Sequence, residues 1–408
     1  VTSGNYAAST SIIFSQANPV ATITAAAGTA TSTTITFNAG GGSLSIGSGV
    51  SARFGSMGLG PGSSLSIPVS SSLSLSAVGG QPTTLSVLGT LSVTSPVMFT
   101  NIATPTIGSN AIISSPNDVT LTFKNAITNF QAGGVISSGG VLTIFTVGGT
   151  IAGNLIGGPS SGSGLLQIGG TLTSDLTITG TLSTSGTSDI IINVGGAHNI
   201  AVSGALSSSG GANIVIVGSN APSIVVGGTL SSSASVQLAG NSATTLTLSA
   251  NTTANQLSLS SSANSAIVTL SGPAALTGGL QLSASGTGGS IVVSSIVTGA
   301  STVTFFSLGS ISIPASGSIS FTGAQSLTGT VAGGVNIAGK LLGSTTTSTA
   351  TVSLNPTGAL TISGTVTGYS TTLNPAGALT ISGAVASGTA ANAMQLNAGA
   401  ASSITGTL

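Results

Sequence analysis

Charge is almost missing from this chain. Across 408 residues there are three basic side chains, Arg53, Lys124 and Lys340, and three acidic ones, Asp118, Asp175 and Asp189. Glutamate, cysteine and tryptophan do not occur; His198 is the single histidine, and Tyr6 and Tyr369 are the only tyrosines. Each absence removes a class of function. Without cysteine there is neither a disulfide framework nor thiolate chemistry. Three basic residues cannot neutralise a phosphate track, which excludes nucleic acid as a partner. Paired-carboxylate catalysis needs two acids flanking one bond, and the closest pair, Asp175 and Asp189, is better read as corner residues that cap local N–H groups. Three scattered aspartates make no calcium ladder, and the glycine-aspartate repeat of calcium-binding solenoids is missing.

The remaining motifs fail on chemistry as well. His198 has no Gly-x-Ser-x-Gly partner in a strand-turn-helix setting and reads as a plain corner or solvent-facing residue. Gly334-Val335-Asn336-Ile337-Ala338-Gly339-Lys340-Leu341 approaches a phosphate loop, but Leu341 replaces the hydroxyl that would meet magnesium and no helix follows. Few aromatic and charged residues leave little for a lyase or hydrolase acting on polysaccharide. The expectation is therefore no enzyme, no catalytic residue, no metal and no cofactor. No apolar run of 18 residues crosses the chain, so a transmembrane helix is not expected. The first residue is Val1, with no basic-apolar leader, which we read as removal of something upstream and hence export.

What is present is apolar, small and periodic. Mean hydropathy is +0.62 with 40% apolar residues, and Leu, Ile and Val alternate with Ser and Thr, which favours packed strands over a solvated coil. Near the C-terminus, Leu354-Asn355-Pro356-Thr357-Gly358-Ala359-Leu360-Thr361-Ile362-Ser363-Gly364 returns as Leu373-Asn374-Pro375-Ala376-Gly377-Ala378-Leu379-Thr380-Ile381-Ser382-Gly383, a displacement of 19 residues. Each copy is a turn followed by a short strand that cannot bury its own apolar face; units stacked at a fixed period can. Leu44/Ile46, Leu65/Ile67 and Leu85/Val87 recur at 21 and 20 residues. Gly139-Gly140, Gly148-Gly149, Gly169-Gly170 and Gly227-Gly228 precede apolar residues, where glycine would supply a positive φ or a tight corner.

These patterns predict an all-β fold, a parallel β-solenoid (β-helix) with coils of roughly 20 residues and no long helix; a string of β-sandwich domains is the alternative. The expected division is solenoid coils over 1–97, an irregular insertion or shoulder over 98–131, and further coils over 132–408. Threonine pairs such as Thr22/Thr24, Thr34/Thr36, Thr120/Thr122 and Thr245/Thr247 raise ice binding, although β-propensity accounts for them more simply. Asn251-Thr252-Thr253 is the only glycosylation sequon.

Gly169-Gly170-Thr171-Leu172-Thr173-Ser174-Asp175-Leu176-Thr177-Ile178-Thr179-Gly180 and Asn355-Pro356-Thr357-Gly358-Ala359-Leu360-Thr361-Ile362-Ser363-Gly364 resemble the repetitive passenger regions of autotransporters and other large bacterial surface proteins. The resemblance implies a β-solenoid outside the cell that serves as an adhesin, coat or fibre. Members of that group carry more Asn and Asp and a C-terminal membrane barrel, which this sequence does not have.

A globular surface normally carries roughly 25% charged residues, and this chain carries 1%. A neutral hydroxyl-rich exterior has no charge repulsion to keep copies apart, and residues 403–408 end in the repeat idiom with nothing to cover the last coil's backbone groups. The first functional expectation is an extracellular or cell-surface structural protein that assembles with copies of itself into a filament, sheath or layer. The second is an adhesin or passenger domain that binds a host or matrix ligand through 98–131; besides copies of itself, cell-surface components or glycans are the expected partners. Asn355, Pro356, Gly358, Asn374, Pro375 and Gly377 are the expected corner residues that fix stacking and assembly.

Overall fold

A computed structural model describes residues 11–14, 20–23, 34–37, 42–46, 48, 50–59, 63–68, 71–158, 165–388 and 394–408. The chain divides into two units, Val1–Gly195 with Ser203–Ala212, and Gly196–Val202 with Asn213–Leu408. Each is a parallel β-solenoid with coils of ~22 residues, and every strand pairing between successive coils is parallel. Sandwich domains are antiparallel, so that alternative is set aside.

One coil of the first unit defines the plan. Val97–Ile102 forms a first wall, Thr104–Ile107 a second and Ile112–Ser115 a third, before Val119–Phe123 returns to the first. Alternation decides what faces inward, because successive side chains of a strand point to opposite faces. On the first wall Phe99, Leu121, Ile144, Ile168 and Ile192 stack in register and are buried. On the third, Leu91, Ile113, Ile136, Leu155, Leu182 and Leu206 do the same. The spaced Leu pairs of the sequence are one column of the second wall, since Leu44 pairs with Leu65 and Leu65 with Leu85. Pro105 then takes the next place. Two long strands, Ser51–Leu59 and Ser72–Gly80, run through the corner and serve the third and first walls in turn.

The stretch 98–131, expected as an insertion or shoulder, holds strands of all three walls, each paired with its neighbours. Its polar residues cap corners: Asn117 Nδ2 donates to Thr94 O at 2.8 Å, Asn125 Nδ2 donates to Ala103 O at 3.1 Å, and Asp118 Oδ1 accepts from Val141 N at 2.8 Å. The residues that broke the repeat pattern are thus corners of regular coils rather than an inserted segment. What irregularity there is consists of two register shifts, between Phe99 and Ile102 and between Ile127 and Phe130.

The second unit repeats the plan. Its second wall stacks Ile224, Leu246, Val268, Ile291, Ile311, Val335, Leu360 and Leu379. Its first wall stacks Ile214, Val236, Leu257, Leu280 and Val303 and then meets a glutamine, Gln325. Here the ladder breaks, and Thr351–Leu354 starts a separate three-stranded sheet with Ser370–Leu373 and Met394–Leu396. Gln325 bridges the break: its Oε1 accepts from Ser353 N at 3.1 Å, while its buried Nε2 has no partner. A buried donor or acceptor left alone costs about 1–3 kcal/mol. Gln325→Leu strands the Ser353 N–H but also removes the lone Nε2, so the two effects oppose and the urea midpoint is expected to shift by less than about 1 kcal/mol; a loss of about 2 kcal/mol or more would show that the bridge outweighs the lone donor.

Candidate functional site

The Asn-Pro corners are built by stacking. Leu354 pairs with Leu373, and Leu360 with Leu379, so the two sequence copies lie one directly upon the other. Asn374 N donates to Leu354 O at 2.9 Å and Ala376 N donates to Pro356 O at 2.9 Å, while Pro375 sits between them. Proline, which has no N–H to give, thus stands between two residues whose N–H groups hold the preceding coil. Both proline rings are buried and both asparagines exposed. Asn355 Nδ2 donates to Ser353 Oγ at 2.9 Å.

Glycine follows for reasons of space. A Cβ on Gly358 would lie 2.6 Å from Gly334 N, and one on Gly377 would lie 2.8 Å from Gly358 C. Replacing both by valine is expected to break the coil geometry here and lower the unfolding midpoint; normal folding and assembly of that double variant would remove these residues from any such role. A third, degenerate copy escaped the sequence reading: Leu396 pairs with Leu373 and Ile404 with Ile381. Ser402 and Ala398 there replace the leucine and proline of the earlier copies, which hid it.

A further set of residues was also missed. Ser115, Ser138, Thr184 and Ser208 are buried at the end of the third wall, with Gly157 between Ser138 and Thr184, where the pattern calls for an apolar residue. Each hydroxyl satisfies a corner carbonyl: Ser115 Oγ donates to Ser95 O at 2.9 Å, Ser138 Oγ to Asn117 O at 2.7 Å, Thr184 Oγ1 to Ser188 O at 2.6 Å and Ser208 Oγ to Ala212 O at 3.0 Å. In the second unit, Ser261 and Ser307 are buried at the end of first-wall strands and donate to Ala243 O and Gly289 O at 2.7 Å each. Buried carbonyls need donors, and serine supplies one at little volume. In a chain this rich in serine, the inward ones cannot be told from the outward ones by composition.

The titratable residues are dispersed. Asp175 is exposed at a corner, Asp189 and His198 are half-buried at others, and Lys124 and Lys340 are exposed. Among the described residues no three of His, Cys, Asp or Glu come together to hold a metal. The stretch that approached a phosphate loop is two strands, Gly334–Ile337 and Lys340–Gly343, on different walls. Strands carrying the threonine pairs fall on different walls too: Val119–Phe123 on the first, Thr245–Leu248 on the second. No single threonine-pair face therefore forms from them. In the sequon, Asn251 and Thr253 are exposed and Thr252 is buried.

Outward faces carry mostly hydroxyl, amide and small side chains, with a few large apolar ones: Met98 is 57% exposed on the first wall and Ile156 41% on the third. Among the described residues, no helix is long and apolar enough to cross a membrane. No family model matches the chain, and none of the curated proteins or solved structures compared with it does.

Proposed function

We propose that this chain is a structural protein of the extracellular space or cell surface, whose solenoid walls associate with those of other copies in a filament, sheath or layer. The observation that carries the reading is the near-absence of charge on walls that hold every other property of a soluble surface. Outward columns such as Ser92, Ser114 and Ser137, or Gln237, Ser258 and Gln281, present hydroxyls and amides on successive coils. Neutral faces of this kind meet without Coulomb repulsion, and Met98 and Ile156 add apolar area that water does not favour. The fold itself is of the kind used by structural and adhesive β-solenoids outside cells.

Electron microscopy of the native material, beside the purified chain at rising concentration, tests this. Regular fibres or sheets support it; separate particles at every concentration overturn it. Because no charges are engaged, association is expected to be insensitive to ionic strength, in contrast to salt-screened assemblies, as read by sedimentation at low and high salt. Met98→Lys together with Ile156→Lys, both outward, should leave folding intact and shift the sedimenting species towards the monomer.

A further inference from the structure

Between Gln325–Thr328 and Thr351–Leu354 the first wall of the second unit loses its ladder, while the other two walls run on through the same coils. On the second wall Val335 pairs with Leu360, and on the third Leu341 pairs with Val366. The cause lies in the corner that leads into the first wall. It spans 322–324 in one coil and 344–350 in the next. The longer corner is held by its own bonds: Thr347 N donates to Ser344 Oγ at 3.1 Å and Ala350 N to Thr347 O at 2.9 Å, while Thr349 Oγ1 reaches back to Thr322 O at 3.0 Å.

Alternate residues of an inner strand bond to opposite neighbours. Asn374 N donates to Leu354 O at 2.9 Å, so Val352 and Leu354 serve the following coil, and Thr351 and Ser353 face the preceding one. Both of those N–H groups are diverted. Thr351 N donates to Thr349 O at 2.9 Å within its own corner, and Ser353 N donates to the Gln325 side chain. Among the described residues no backbone hydrogen bond joins the two strands. The lumen carries two marks of the missing ladder. Leu327 follows the buried Leu282 and Phe305 in the inward column and is itself only half-buried, and Gln325 Nε2 is buried without a partner.

The geometry points to this seam as a hinge. The first wall opens between Gln325–Thr328 and Thr351–Leu354 while the second and third walls stay zipped, and Thr351–Leu354 swings away with Ser370–Leu373 and Met394–Leu396, which ladder upon it. Opening breaks one side-chain bond, where a regular coil would break a row of backbone bonds. It also gives Gln325 Nε2 the water that it lacks when closed, which offsets part of the cost of wetting Leu327 and Val352. Coils elsewhere in the unit are held on three walls and open only with their neighbours. The inference does not rest on self-association.

Thiol labelling tests it, since the chain has no cysteine of its own. Val352→Cys and Val236→Cys each place one thiol at a buried inward position, the first at the seam and the second within the intact ladder. Iodoacetamide is expected to modify the Val352→Cys variant of the full chain about tenfold or more faster than the Val236→Cys variant, at a rate that sub-denaturing urea leaves unchanged, as for a local opening. Labelling of the Val236→Cys variant should climb with urea, as for global unfolding. Single-residue hydrogen exchange of the unaltered chain reads the same opening without a substitution. There the Ser353 amide is expected to be about tenfold or more less protected than that of Thr361, which lies in the second-wall ladder of the same coil. Equal labelling of the two variants, a Val352→Cys rate that climbs with urea alongside that of Val236→Cys, or equal protection of the two amides would overturn the hinge.

Discussion

Gly364→Val combined with Gly383→Val is expected to unfold the C-terminal coils of the second unit. Gly317, Gly339, Gly364, Gly383 and Gly406 form a column, one per coil, in which a Cβ on each after the first would collide with the carbonyl oxygen of the glycine before it, and one on Gly317 with Val293 O. That same glycine carbonyl accepts the ladder bond of the next coil: Lys340 N donates to Gly317 O at 2.9 Å, Thr365 N to Gly339 O at 2.9 Å and Ala384 N to Gly364 O at 2.8 Å. The coils cannot move apart to admit a side chain without losing the bonds that stack them. Overpacking costs about 1–3 kcal/mol per site, and each lost backbone bond leaves a further unsatisfied group. Because a solenoid is held by interfaces between neighbours, two adjacent faults should act together. Hydrogen exchange is the measurement: loss of protection in 340–388 with protection retained in 214–293 is expected, and native protection throughout would mean the column is not a steric constraint.

Phe305→Ala is expected to destabilise the second unit by about 3–5 kcal/mol, the usual cost of deleting a buried ring and leaving its cavity. Phe305 is 1% exposed and lies in register between Leu282 and Leu327. Its neighbour Phe306 points outward, over Gly329. Phe306→Ala should therefore cost far less, although the two residues are chemically identical and adjacent. Urea unfolding of the pair decides the matter; equal losses would contradict the inward and outward assignment.

That assignment was legible in the sequence. Thr302, Val303, Thr304 and Phe305 alternate, and alternation is a property of the extended backbone itself. The same local rule located the strands around Leu44, Leu65 and Leu85 and matched the two Asn-Pro copies, because identical residues at nearly fixed spacing stack most cheaply on themselves. The lack of charge was equally plain. In 98–131, Asn117, Asp118 and Asn125 look out of place along the chain, while each bonds a carbonyl or N–H about one coil away.

The sequence by itself thus determined that the chain is β throughout, which residues of each strand turn inward, and that its coils are about as long as its repeats. Only the tertiary structure decided that each coil has three walls, which strands share a wall, where the glycine column runs and which hydroxyls turn inward to bond a corner carbonyl. The reason is the range of the interactions involved. Alternation is set within two residues by covalent geometry, whereas a column joins residues one coil apart across corners of variable length, and that register exists only once the coils have stacked.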